Sequence, residues 1–149
     1  MIQSIPRDLL AGCHILLLDD EPDSLEVAET ILSMYSATVH TATNGKEGLQ
    51  ILNRIRPDFI ISDISMPIMD GWDFIATIQK DRGLAEIPVI ALTAQAVQED
   101  RVRAITAGFH NYMTKPLTVQ TFMADLLHLL LDVPELNDML SNPGIYAKL

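Results

Sequence analysis

Cysteine, aromatic residues and basic charge are all scarce in this 149-residue chain. A single Cys13 excludes an internal disulfide, and without a Cys-x-x-Cys pair a thiolate zinc site has nothing to stand on. Cys13 opens an apolar run and reads as a small buried hydrophobe rather than a reactive thiol. Lys and Arg number 10 against 20 Asp and Glu, a formal net charge of −10. That balance argues against direct nucleic-acid binding, which needs a basic footprint. Long hydrophobic runs are missing too. Ile15–Leu18 is too short for a signal-peptide core and leads straight into acids, and nothing approaches the ~20 residues of a membrane-spanning helix. Membrane insertion and secretion are therefore not expected, and the expected place is the cytoplasm. What the chain does have is 48% hydrophobic residues, at a length suited to one domain with a proper core.

Along the chain, short apolar runs alternate with helical periods. Strands are predicted at Cys13–Leu18, Ala37–Ala42, Phe59–Ser62, Val89–Leu92 and Asn111–Met113. Helices are predicted from Ser24, with Asp23 or Ser24 as N-cap, and over Lys46–Ile55, Trp72–Lys80, Gln98–Ala107 and Thr118–Leu131. Asn44-Gly45 reads as a turn, Ile64–Gly71 as a loop and Gly108 as a C-cap. Residues 1–12 read as a lead and 132–149 as a tail, with room for one helical turn at Glu135–Leu140. Five strands alternating with five helices specify an α/β fold with a parallel sheet and helices on both faces. Continuously apolar strands agree, because a sheet covered on both sides has no polar face.

In such folds the working site lies at the carboxyl ends of the strands. Strand one ends in Asp19-Asp20, strand three in Asp63, strand four in Thr93 and strand five in Lys115-Pro116. A parallel sheet brings three carboxylates, a hydroxyl and an ammonium to one edge. Three close carboxylates repel unless a cation compensates, and Mg²⁺ suits an all-oxygen site that leaves room for water and phosphate. Lys115 helps to keep Asp63 ionised. An ionised carboxylate beside the metal is competent as a nucleophile toward phosphorus, with Lys115 and Thr93 placed to stabilise the phosphoryl oxygens.

Four segments in order carry a family resemblance: Ile15-Leu16-Leu17-Leu18-Asp19-Asp20-Glu21, Asp63-Ile64-Ser65-Met66-Pro67-Ile68-Met69-Asp70-Gly71, Val89-Ile90-Ala91-Leu92-Thr93-Ala94, and Ala107-Gly108 through Lys115-Pro116. Across Cys13–Leu131 the chain resembles the receiver domains of response regulators, the CheY-like family of two-component signalling. The resemblance implies a doubly wound, flavodoxin-like sheet of strand order 2-1-3-4-5. It implies Asp63 as phosphoacceptor, and Asp19, Asp20, Asp63 and the Ser65 backbone carbonyl as Mg²⁺ ligands. Thr93 and Lys115 meet the phosphoryl group, the Lys115–Pro116 peptide is cis, and Tyr112 is the switch aromatic. The phosphoryl donor is a histidine kinase or histidine phosphotransfer protein. The output is a protein-binding surface on the fourth helix, fifth strand and fifth helix that engages a downstream protein target. Ser65 and Gln95 occupy the two positions the family varies to tune phosphoryl lifetime.

The expectation is a stand-alone receiver of residues 13–131 that modifies only itself and is no turnover enzyme. An aspartyl phosphatase would carry a second aspartate two residues after Asp19, where this chain has Glu21. A flavin binder needs a Gly/Ser/Thr phosphate loop after strand one, where Asp-Asp-Glu-Pro repels phosphate. A degenerate receiver, acting as a phosphorylation-independent interaction module, is the alternative. Asp19, Asp20, Asp63, Thr93 and Lys115 all being present counts against it. His14, His40, His110 and His128 lie off the strand-end set and are not expected to be catalytic.

Overall fold

The computed structural model describes residues 5–94 and 98–140, without the side chains of Gln98, Glu99 and Met139. Elements run in the order β1 (His14–Leu18), α1 (Pro22–Met34), β2 (Thr38–Ala42), α2 (Gly45–Leu52), β3 (Phe59–Asp63), α3 (Gly71–Gln79), β4 (Val89–Thr93), α4 (Gln98–Ala107), β5 (Asn111–Thr114), α5 (Phe122–Leu130) and α6 (Pro134–Leu140). All strand pairs are parallel, in the order β2-β1-β3-β4-β5. This is the doubly wound α/β architecture expected.

Side-chain alternation along the strands builds two cores, one on each face of the sheet. Ile15 and Leu17 of β1, Phe59 and Ile61 of β3 and Ile90 and Leu92 of β4 face α1 and α5. Leu16, Leu18, Ile60, Val89 and Ala91 face α2, α3 and α4, against Phe74, Ile75, Ile78 and Ala104. Flanking segments join the first core: Leu9 and Leu10 before β1, and Val133, Leu136 and Leu140 around α6, are all buried there.

The starts of α1, α2 and α5 depart from the sequence expectation, each for a local reason. Helix α1 begins at Pro22, with Glu21 as N-cap instead of Asp23 or Ser24. Proline suits the first helical position, whose N–H has no partner to lose. Asn44 is an N-cap and not merely a turn: its side chain accepts the Glu47 N–H at 2.9 Å, and Glu47 accepts the Thr43 N–H in return. Helix α2 therefore starts at Gly45, and it ends at Leu52, short of Ile55. Helix α5 starts at Phe122, four residues later than expected. Thr118, Val119 and Thr121 are β-branched and poor helix formers, and a turn holds them instead. Strands β3, β4 and β5 each run one residue further than expected, to Asp63, Thr93 and Thr114. The Lys115–Pro116 peptide is cis. Gln95 and residues 141–149 lie outside the described residues.

Candidate phosphorylation site

The sheet ladder sets the site. Ser62 of β3 pairs with Leu18 of β1, so Asp63 and Asp19 leave neighbouring strands side by side. Thr93 pairs with Thr114, and the Lys115 N–H donates to the Thr93 carbonyl at 2.8 Å. Asp63, Thr93 and Lys115 line one cavity of about 400 Å³ together with Asp20, Glu21, Ser65 and Asp100. The turn after β3 folds tightly back on Asp63. The Gly71 N–H donates to the Ile64 carbonyl, and any Cβ on Gly71 would lie 2.5 Å from the Asp63 carbonyl oxygen. Glycine is therefore the residue that allows this close approach.

Lys115 is the electrostatic centre. Its Nζ donates to Asp63 Oδ2 at 2.9 Å, to Glu21 Oε1 at 2.8 Å and to Asp19 Oδ1 at 3.2 Å. Burial works against the ammonium, but the hydrogen bonds it donates to Glu21, Asp63 and Asp19 outweigh it and hold its pKa above the ordinary lysine value. The other Asp63 oxygen accepts the Ser65 N–H at 3.2 Å. Asp19 is 1% exposed, and burial lifts its carboxyl to about pKa 6, with the neighbouring Asp63 charge adding to the effect. The Glu21 N–H and Lys115 pull the other way without prevailing. Asp19 Oδ2 lies 3.0 Å from Lys115 Nζ as an ion pair but makes no hydrogen bond.

That oxygen tests the fit of a metal. Asp19, Asp20 and Asp63 each offer a carboxylate oxygen, all within 4.8 Å of one another. Asp20 is exposed, whereas Asp19 and Asp63 are buried. A hard donor set with a buried oxygen that makes no hydrogen bond, and one lysine against several acids, fits a small divalent cation such as Mg²⁺.

The structure thus brings Asp20, Asp63, Ser65, Thr93 and Lys115 to one cavity, with Asp19 buried against Lys115 beside it. Tyr112 lies outside it, on β5 opposite Ala91, half-buried, with the Arg101 guanidinium 5.9 Å from its ring centroid. The histidines also lie apart. His14 and His40 meet each other on β1 and β2 with ring nitrogens 3.2 Å apart, and His110 Nε2 lies 3.0 Å from the Leu129 carbonyl oxygen. Cys13 is buried, and burial, with Asp58 nearby, pushes its thiol up to about 12, as suits an inert core cysteine. Sequence reading does not single out Glu21 or Asp100. Glu21 stands in the sequence as the third acid of Asp-Asp-Glu and as the residue that takes the place of a phosphatase's second aspartate, and Asp100 arrives from α4.

A doubly wound sheet with an acidic, lysine-bridged crevice at its strand ends defines a receiver-type signalling module. The family model for the response regulator receiver domain matches residues 15–127, and the chain belongs to that family. It is 41% identical over 108 residues to an uncharacterized 14.6 kDa protein of the sodA1 3′ region of Leptolyngbya boryana, covering 72% of this chain and 82% of that one. It is 41% identical over 104 residues to the transcriptional regulatory protein GlrR of Escherichia coli K12, covering 70% of this chain but only 23% of GlrR. Among solved structures, it resembles the receiver domain of sensor histidine kinase PA1611 from Pseudomonas aeruginosa PAO1, with a TM-score of 0.72 and 32% identity. The match covers 83% of this chain and 98% of that one, whose structure has a magnesium ion coordinated in the active site cleft. Among the described residues, no helix is long and apolar enough to cross a membrane.

Proposed function

We propose that this receiver accepts a phosphoryl group on Asp63 from a phosphohistidine of a histidine kinase or histidine phosphotransfer protein, in the cytoplasm, with Mg²⁺ as cofactor. An Asp63 carboxylate oxygen attacks phosphorus, the P–N bond breaks, and its electron pair leaves on the imidazole. Asp19, Asp20, Asp63 and the Ser65 backbone carbonyl hold the metal, which when bound offsets charge on the carboxylates and the phosphoryl oxygens. Lys115 pairs with the Asp63 carboxylate and draws the transferred group, and Thr93 hydrogen-bonds it. Thr93 moves toward the phosphoryl oxygens, and Tyr112 then turns into the space behind it. This shifts the population of the α4–β5–α5 surface that a downstream protein reads. The modification is of the protein itself, with no turnover of a separate substrate.

The supporting observation is Lys115 bridging Asp63 and Asp19 beside three mutually close carboxylates. The test is intact mass after incubation with a small phosphodonor such as acetyl phosphate and Mg²⁺. One added phosphoryl group is expected in the wild type and none in Asp63→Asn. Labelling of Asp63→Asn at the wild-type rate would overturn the assignment. A wild type that stays unlabelled would favour the phosphorylation-independent interaction module instead.

A further inference from the structure

Glu21 stands at the N-cap of α1, with an extended backbone suited to capping, yet its side chain makes no cap hydrogen bond. Its carboxylate turns to Lys115 instead and makes the shortest contact that ammonium has, 2.8 Å. A lysine ammonium has three N–H donors and no more. Here Glu21, Asp63 and Asp19 occupy them. A phosphoryl oxygen arriving at Asp63 gains a Lys115 donor only if one of these three acceptors lets go. Asp19 and Asp63 side chains are 1% and 8% exposed, so water has little access to replace a Lys115 hydrogen bond lost at either. The Glu21 side chain is 62% exposed, so water takes over its hydrogen bond when it leaves.

We propose that Glu21 is a positioning residue that holds Lys115 in the unphosphorylated protein and releases it to the phosphoryl group on Asp63. The proposal rests on the reading of Asp63 as phosphoacceptor. Glu21 thereby competes with the phosphoryl oxygens for one ammonium donor, and its contact distance sets how strongly the resting state is favoured.

The experiment compares wild type, Glu21→Ala and Glu21→Asp by ¹⁵N NMR of the Lys115 Nζ group, before and after saturation with beryllofluoride and Mg²⁺. In the resting protein, Glu21→Ala shifts the Lys115 resonance; in the beryllofluoride form, wild type and variant coincide. Titration with beryllofluoride at saturating Mg²⁺ gives Glu21→Ala an affinity about two- to fivefold higher, the range of an exposed ion pair. Glu21→Asp keeps the charge but falls one methylene short of Lys115. It behaves like Glu21→Ala if contact matters, and like wild type if only through-space repulsion does. Coincident Lys115 resonances in the resting proteins, a difference that persists with beryllofluoride, an unchanged Glu21→Ala affinity, or a wild-type-like Glu21→Asp would each overturn the hold-and-release role. These outcomes leave the phosphoacceptor reading intact when the wild type binds beryllofluoride. A wild type that does not bind it overturns both.

Discussion

The two ends of the sheet are made from the same strands and solve opposite problems. At the amino ends, Asp58 accepts the His14 N–H at 2.8 Å, and Cys13 stays a neutral buried thiol. Leu9, Leu10, Val133, Leu136 and Leu140 are buried in the core on the α1–α5 side. At the carboxyl ends, Asp19, Glu21 and Asp63 all contact Lys115, with Asp20 close to the two aspartates, and Asp19 Oδ2 is left without a hydrogen bond. The contrast shows where stability is generated and where it is spent. The apolar end holds the strands in register, and that rigidity keeps mutually repelling carboxylates within 4.8 Å at the other.

Breaking the apolar end has the largest effect. Leu10→Ala removes a fully buried side chain and lowers unfolding free energy by about 2–5 kcal/mol in urea titration. The stabilisation that Mg²⁺ adds is unchanged in this variant, because the acids stand at the far end of the strands. A loss of the Mg²⁺ increment would show that the two ends are not separable.

Relieving the acidic end comes next. Mg²⁺ at about 100 times its Kd stabilises the wild type by roughly 2.7 kcal/mol if it binds only the folded state. Asp20→Ala loses most of this increment and is more stable than wild type in metal chelator, since one like charge is gone. Thermal melts with Mg²⁺ and with chelator check both signs.

The pH dependence is smaller, on the order of 1–3 kcal/mol. Asp19 has its folded pKa raised from 3.8 to about 6, so the folded state binds its proton more tightly than the unfolded chain does. Its contribution is most favourable below about 3.8 and is lost as pH rises through about 6, without metal. Asp19→Asn flattens the stability profile in that window. Chelator-treated melts across it that are no flatter than wild type would remove Asp19 as the strained carboxylate.

Much of this contrast is legible in the linear chain. Ile15 to Leu18 and Val89 to Leu92 announce covered strands, and Asp19, Asp63, Thr93 and Lys115 are marked by standing where apolar runs stop. Other features are not, because they depend on contacts between distant segments. Leu136 and Leu140 read as tail residues until the core receives them. Thr118 and Val119 fall within the helix expected over Thr118–Leu131 but stay out of α5, where β-branched residues are poor helix formers.

Local pattern by itself determined the βα alternation, the parallel sheet and the set of strand-end residues, because strand burial and helical period are written in neighbouring side chains. Only the tertiary structure decided how the charges share one lysine. The three acceptors of the Lys115 ammonium lie 96, 94 and 52 residues away in sequence, for Asp19, Glu21 and Asp63. Nothing local specifies that Glu21 leaves its helix cap for Lys115 while Asp19 Oδ2 goes unbonded. That division follows from burial and from the three donors of one ammonium, quantities that exist only once the sheet has brought the strand ends together.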